Sequence, residues 1–116
     1  IGLNVNQREF CSNAPNPVSL YNIIGRETPL EEMLDAVLRS FELYYRRAVE
    51  GDRDGICAEY NAALFRREGM HAYEDCATHE RFEARISRVA LNGRLHLTDT
   101  QGLERTYWMK EVRFIV

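Results

Sequence analysis

The stretch RFEARISRVALNGRLHLTDT, residues 81–100, decides how the second half of the chain folds. Apolar and polar residues alternate over short runs on both sides of Asn92-Gly93. That dipeptide is typical of two-residue hairpin turns, because both of its residues tolerate a positive φ. The pattern therefore predicts two antiparallel strands, at residues 81–91 and 94–100, joined by a tight turn.

Three more short strands flank this hairpin. Residues 70–76 precede it, and residues 103–110 and 111–116 follow it, with Gln101-Gly102 as a second turn signal. Five strands of this length cannot form a large sandwich, but they can close into a small barrel of the SH3-like kind. We predict such a barrel for the second part of the chain.

Helical periodicity fills the region before these strands. Thr28 and Glu31 form a capping box around Pro29, and Gly51 ends the run. Apolar residues recur between these signals at spacings of three and four, which predicts a long amphipathic helix with one apolar stripe. The stripe consists of Leu30, Met33, Leu34, Val37, Phe41, Tyr44 and Ala48. This helix needs a partner surface, and we assign the stripe to core packing.

Two shorter helices complete the predicted elements. One runs over about residues 54–65, and the other is capped by Ser19 and stopped by Gly25. The fold class is therefore α+β. We predict one domain of mainly helices at residues 1–67 and the barrel domain at residues 68–116.

Composition excludes several classes of protein. The 116 residues carry 18 acidic and 15 basic side chains, a formal charge of -3, and 45% of them are hydrophobic. This is the composition of a globular protein, and its acidic balance argues against a general nucleic-acid or anionic-membrane binder. No apolar run approaches the roughly 18 residues that span a bilayer, and no stretch resembles a signal peptide. We expect a cytoplasmic protein with no membrane or nucleic-acid partner.

The cysteines form neither a disulfide framework nor a metal-site motif. Cys11, Cys57 and Cys76 are an odd set with wide separations, so we expect reduced thiols. His71, Cys76 and His79 could be assembled into a metal site, but zinc sites want four ligands and no fourth donor stands at a convincing spacing. We predict no metal site.

The first six residues, IGLNVN, alternate in the manner of a half-buried strand. Leu3 and Val5 would face a core on one side of this strand. Gly2, Asn4 and Asn6 would face the other side. A face this small and polar suits the wall of a ligand site.

Four short motifs and their order along the chain carry a family resemblance. They are GLNVN at residues 2–6, FEARISRVALNGRLHL at 82–97, a turn glycine at Gly102 and EVRF at 111–114. The series resembles the carboxy-terminal portion of the biotin protein ligases, whose catalytic sheet carries a similar strand with isoleucine in place of Leu3. The resemblance covers nearly the whole chain. It implies the distal part of a biotin/lipoate ligase-like catalytic domain, followed by an SH3-like barrel.

The resemblance implies an enzyme that uses ATP, biotin and Mg²⁺. Such a ligase activates biotin to biotinyl-adenylate and transfers the biotinyl group to a lysine of a biotin carboxyl carrier protein. The family's glycine- and arginine-rich loop and its Lys-Trp-Pro-Asn motif are absent from these residues, in which Lys110 is the sole lysine. We therefore expect no catalytic residue in this chain, no activity of the chain by itself, and self-association through faces that lack their partners.

Four contacts to the ligand follow from the same resemblance. Asn4 matches an asparagine beside the adenylate, and Gly2 matches a glycine at which the backbone approaches the ligand. Lys110 and Arg113 are the nearest matches to an arginine that some family members bring from the last barrel strand toward the nucleotide. The residues themselves leave two alternatives open: Asn4 is also suited to bonding nearby loop backbone, and Gly2 to a packing or bulge position.

A second class of function stays open, that of a non-catalytic SH3-like interaction module which binds a peptide or protein partner. Tyr73, Tyr107, Trp108 and Phe114 could grip a proline-rich peptide. Tyr107 and Trp108 are adjacent, so only one of them can face the core. A nucleic-acid-binding barrel is disfavoured, because the arginines of the strands are interspersed with acidic residues.

Overall fold

The computed structural model describes residues 2–11 and 16–116, and the chain forms two compact units, Ile1–Arg46 and Arg47–Val116. The helices are α1 (Leu20–Ile24), α2 (Leu30–Val49) and α3 (Arg53–Ala62). The strands are β1 (His71–Asp75), β2 (Arg81–Val89), β3 (Leu95–Asp99), β4 (Glu104–Tyr107) and β5 (Val112–Phe114). The α+β class is confirmed, whereas the predicted domain boundary after residue 67 stays a prediction. Within the described ranges, no helix is both long and apolar enough to cross a membrane.

The ends of α1 follow its predicted capping signals. Ser19 Oγ accepts a hydrogen bond from Asn22 N at 3.2 Å, and Asn22 Oδ1 accepts one from Ser19 N at 3.0 Å. This reciprocal pair satisfies donors that the first turn of a helix leaves without partners. Gly25 ends the helix at φ 73°, and its N–H donates to Tyr21 O.

α2 begins directly after Pro29 and ends two residues before Gly51, and the capping box of Thr28 and Glu31 stays a prediction. Pro29 O accepts a hydrogen bond from Met33 N at 3.1 Å, and Gly51, at φ 90°, follows the last turn. α3 then begins after Asp52, whose Oδ1 accepts from Gly55 N at 3.0 Å. The apolar stripe of α2 was assigned to core packing, but no residue of this helix is buried.

The predicted first strand is not formed in the described residues. Asn4 O accepts a hydrogen bond from Leu20 N at 2.9 Å. Val5 O accepts one from Tyr21 N at 2.8 Å. These carbonyls therefore bind the first turn of α1, whose N–H groups have no intrahelical partners, instead of a neighbouring strand. Leu3 is exposed, so the predicted division into a core face and a polar face fails there.

The strands form one antiparallel sheet in the order β4-β3-β2-β1-β5. The predicted hairpin is confirmed as β2 and β3, with Ile86 opposite Leu97 and Val89 opposite Leu95. Within residues 16–116, the edge strands β4 and β5 do not pair with each other, so the sheet is open. The predicted closure into a barrel is not confirmed, because closure requires every strand to have two neighbours and the three-residue β5 pairs with β1 alone.

The hydrophobic core of the second unit lies on this sheet. It is built from Tyr73, Ala84, Ile86, Leu97 and Tyr107. Tyr107 is 7% exposed and its neighbour Trp108 is 44% exposed, as strand alternation requires. Leu64, which follows α3, packs against this cluster and helps to cover the sheet.

Candidate functional site

The four predicted ligand contacts belong to different units of the structure. Gly2 and Asn4 lie in the first unit, and Lys110 and Arg113 lie in the second. Each pair is therefore a separate structural feature, positioned by its own elements.

Asn4 lies in the exposed segment before α1. Its Nδ2 donates to Val18 O at 3.3 Å, which is the bond to nearby loop backbone that the sequence also allows. A long hydrogen bond at an exposed position adds little to stability, because water offers the same partners. The carboxamide thus stays at the surface, where it can both donate and accept. Its contact with an adenylate stays a prediction.

Asn6 has a structural role that the sequence did not indicate. Its Nδ2 donates to Thr28 O at 2.8 Å, and its Oδ1 accepts from Thr28 N at 2.9 Å. The carboxamide therefore pairs with the backbone of Thr28 in both directions, just before α2 begins. Ser19, which is buried, adds a bond from its Oγ to Gln7 O at 2.5 Å. These bonds fix the segment that carries Asn4 against the starts of both helices of this unit.

Gly2 is exposed, and its surroundings within the chain are open. No described atom lies within 4 Å of the place that a Cβ would occupy. The described part of the chain therefore gives no packing reason for a glycine here. The predicted close approach of a ligand would give one, and it stays a prediction.

Lys110 and Arg113 line the same cavity, with a volume of about 590 Å³, in the second unit. Its remaining walls are largely apolar and include Tyr60, Leu64, Ile86, Leu95, Trp108 and Met109. Lys110 lies in the turn between β4 and β5 at φ 72°, a conformation that is uncommon for a residue other than glycine. The structure thus places the two predicted cationic contacts at one apolar cavity.

Arg113 is held by a carboxylate that the sequence analysis missed. Glu74 on β1 has a side chain that is only 10% exposed, and its carboxylate lies 3.4 Å from Arg113, 3.3 Å from Arg81 and 3.5 Å from His79. Hydrogen bonding from His79, followed by Arg81 and the charge of Arg113, holds the pKa of this carboxyl below its usual value.

The Glu74 cluster results from the register of three neighbouring strands. Glu74 lies directly opposite Arg81 on β2 and Arg113 on β5, so two cross-strand pairs of opposite charge share one carboxylate. The sequence shows these residue types, but it does not show that both pairings fall on the same position of β1.

A second cavity, of about 600 Å³, adjoins the first and shares Tyr60, Val89, Gly93 and Met109 with it. At this end of the sheet the Arg94 guanidinium lies 4.9 Å from the centre of the Trp108 ring. The two cavities form one largely apolar groove between α3 and the sheet, with Lys110 and Arg113 on its lining.

The structure does not assemble the metal site that was considered from the sequence. His71 Nε2 lies 2.7 Å from Glu68 O, whereas His79 contacts Glu74. In the described part of the chain, no three His, Cys, Asp or Glu side chains are grouped so that they could hold a metal ion. The His96 side chain is largely covered and contacts Glu104.

Comparison with solved structures identifies the fold. The chain matches the apo structure of the biotin protein ligase from Aquifex aeolicus with a TM-score of 0.73 and 16% identity, over 97% of this chain and 49% of that one. Its fold is therefore similar to about half of that ligase. The ligase from the same organism in complex with biotin and ATP matches with a TM-score of 0.74 and 16% identity, over 97% of this chain and 48% of that one. No family model and no curated protein sequence matches the chain.

These matches confirm the family resemblance at the level of the fold. The chain spans about half the length of the biotin protein ligases that it matches. The match is consistent with a carboxy-terminal portion.

Proposed function

We propose that this chain is the distal part of a cytoplasmic biotin protein ligase. The observation that carries the proposal is the match over 97% of the chain to a ligase whose structure contains biotin and ATP. The ordered motifs from GLNVN at residues 2–6 to EVRF at 111–114 also support it. An enzyme of this class needs the remaining half of the fold.

The proposed reaction has two steps. A carboxylate oxygen of biotin attacks the α-phosphorus of ATP, the bond to the β-phosphate oxygen breaks, and pyrophosphate leaves. The uncharged amine of a lysine on the biotin carboxyl carrier protein then attacks the acyl carbon, AMP leaves, and the nitrogen loses a proton. Both steps develop negative charge on phosphate oxygens, so fixed hydrogen-bond donors and cations near those oxygens accelerate them.

The chain supplies contacts to the nucleotide in this proposal. The exposed carboxamide of Asn4 donates to an adenylate phosphate or ribose oxygen, and the open surroundings of Gly2 let the backbone approach the ligand. Lys110 and Arg113 supply positive charge at the cavity of the second unit. Lys110 is the better placed of the two for a phosphate, because Arg113 already contacts Glu74. No catalytic residue is assigned to this chain.

Mg²⁺ belongs to the proposal as the ion that accompanies ATP. The described residues offer no group of three carboxylate, imidazole or thiol ligands for it. No step of the reaction is therefore assigned to a metal held by this chain.

A chimera tests the proposal. The unmatched part of the Aquifex aeolicus ligase is joined upstream of this chain and supplied with ATP, Mg²⁺, biotin and a carrier domain. We expect biotinyl-adenylate and labelled carrier from the chimera, and neither product from the 116 residues alone, because most of the positioning and phosphate neutralisation must come from the other half. Labelling by the isolated chain would contradict the expected inactivity, and a folded but inactive chimera would count against the ligase proposal.

The apolar groove favours one alternative, a non-catalytic module that binds a peptide. Its aromatic residues Tyr60 and Trp108 are exposed at a surface that an extended apolar peptide could cover. Titration with proline-rich peptides, followed by Trp108 fluorescence, separates the two functions. The ligase proposal predicts no saturable change in emission below millimolar peptide.

A further inference from the structure

The described residues of the first unit form no hydrophobic core of their own. Among the residues that the structure describes, the five buried hydrophobic ones belong to the second unit, and the one buried in the first unit is the polar Ser19. A unit of this size that buries so little apolar surface cannot offset the loss of chain entropy on folding. Another surface must therefore cover it in the folded protein.

The apolar stripe of α2 is the surface that needs a cover. Leu30, Leu34 and Phe41 of the stripe and the adjoining Leu38 and Tyr45 are each more than half exposed. At about 100° per residue, these five side chains fall within one arc of roughly 80° along a helix about 30 Å long. The charged residues Glu32, Asp35, Arg39 and Arg46 lie on the opposite arc. An exposed apolar patch this long and this regular marks an interface.

The fold comparison indicates what covers this stripe. The chain is almost completely matched, yet it accounts for only 49% of the matched ligase. A polypeptide of about equal length is thus the missing structural neighbour of this unit. We propose that the apolar stripe of α2 is the docking surface for the other half of the biotin ligase fold, which buries Leu34, Leu38 and Phe41 in a shared hydrophobic core.

The inference rests on the fold behind the proposed function, but not on catalysis. It predicts that docking depends on which face of α2 is changed. Leu34 and Leu43 provide a matched pair, because both are leucines on this helix with 57% exposure. They are nine residues apart, about two and a half turns, so they point in opposite directions. Leu34→Glu places a charge in the stripe, and Leu43→Glu places the same charge on the far side.

Hydrogen exchange on the chimera described above is the test. Amides of α2 should exchange at least about 10-fold more slowly in the chimera than in the isolated chain, because covering the stripe suppresses local opening. Leu34→Glu should abolish this protection, and Leu43→Glu should retain it. The isolated chain should self-associate through the same stripe, whereas the chimera should be monomeric by light scattering.

Three results would contradict the proposed docking surface. The first is that α2 amides exchange at the same rate in the chimera and in the isolated chain, and the second is that Leu34→Glu and Leu43→Glu change this rate equally. The third is that the chimera still self-associates and that Leu34→Glu abolishes the association. The last result would assign the stripe to a second copy of the chain. Protection without biotinyl-adenylate synthesis would support the surface while counting against the proposed function, so the two failures are distinguishable.

Discussion

The side chain of Asn61 pairs with the backbone of Val89 as a neighbouring strand would. Asn61 Oδ1 accepts from Val89 N at 2.6 Å, and Asn61 Nδ2 donates to Val89 O at 2.9 Å. Val89 is the last residue of β2, and Asn61 is in the final turn of α3. One carboxamide therefore fastens α3 to the end of the central hairpin and satisfies two backbone groups that the sheet leaves unpaired there.

Asn61→Ala should destabilise the second unit by about 1–3 kcal/mol, because it leaves a partly buried N–H and a partly buried C=O of Val89 without these partners. Asn61→Asp keeps an acceptor for Val89 N and loses the donor, so we expect an intermediate loss. Urea denaturation followed by circular dichroism measures both. Equal stability of the wild type and Asn61→Ala would show that water replaces the carboxamide.

We expect Asn4→Ala to lower kcat/KM for biotinyl-adenylate synthesis by roughly 10- to 100-fold in the complete ligase or an active chimera. This is the effect of losing one or two hydrogen bonds to the ligand, which are worth about 1.5 to 3 kcal/mol. Its free energy of unfolding should change by about 1 kcal/mol or less, because the side chain is exposed and makes one bond of 3.3 Å.

Asn6→Ala is the matched control for Asn4→Ala. It removes two shorter hydrogen bonds to Thr28 and should lower the free energy of unfolding by about 1–2 kcal/mol. A normal rate of adenylate synthesis by Asn4→Ala, or a larger loss of stability for Asn4→Ala than for Asn6→Ala, would assign Asn4 to structure instead of ligand binding.

Gly2→Ala tests the close approach of the ligand. No described atom would contact the added methyl group, so stability should change by less than about 0.5 kcal/mol. A ligand against the backbone would meet that methyl group, and we expect at least a 10-fold rise in KM for biotin or ATP. Gly102→Ala, at φ 83° in the turn between β3 and β4, should show the reverse pattern, with lower stability and an unchanged KM. Normal kinetics of Gly2→Ala would remove Gly2 from the site.

The Glu74 cluster should make the stability of the second unit dependent on acid. Because His79, Arg81 and Arg113 hold the pKa of Glu74 below its usual value, the unfolded chain binds this proton first as the pH falls. The stabilisation is therefore complete above the unfolded pKa, near about 4, and is lost as the pH falls through the lower folded pKa.

Glu74→Gln should flatten the fall in urea midpoint below about pH 5, since it removes one group that titrates differently in the two states. Glu83→Gln, at an exposed position of β2, is the control and should leave the profile unchanged. Parallel acid profiles for the wild type and Glu74→Gln would show that the cluster does not contribute.

Local signals predicted most of the elements of the fold. The caps at Ser19 and Gly25, the amphipathic period of α2 and the Asn92-Gly93 turn act over a few residues, so they appear in the sequence and again in the structure. The ordered motifs also indicated the ligase fold, which the structural matches then confirmed. The four candidate contacts were named from the resemblance, and their roles stay predictions.

Features that depend on distant partners were not predictable in this way. The segment GLNVN has the alternation of a strand, but a strand exists only where another strand accepts its hydrogen bonds, and here Asn4 and Val5 bind the first turn of α1. Barrel closure likewise depends on how β4 and β5 meet, which no local period specifies.

The sequence by itself determined that three helices precede five strands and where α1 ends, because caps, turns and hydrophobic period are short-range properties of the chain. Only the tertiary structure decided that Glu74 faces both Arg81 and Arg113, that Asn61 fastens α3 to β2, and that the stripe of α2 is exposed. Strand register and side-chain burial are set by residues that are far apart in sequence. The role of each carboxylate, amide or apolar stripe therefore depends on which group it contacts in the folded protein.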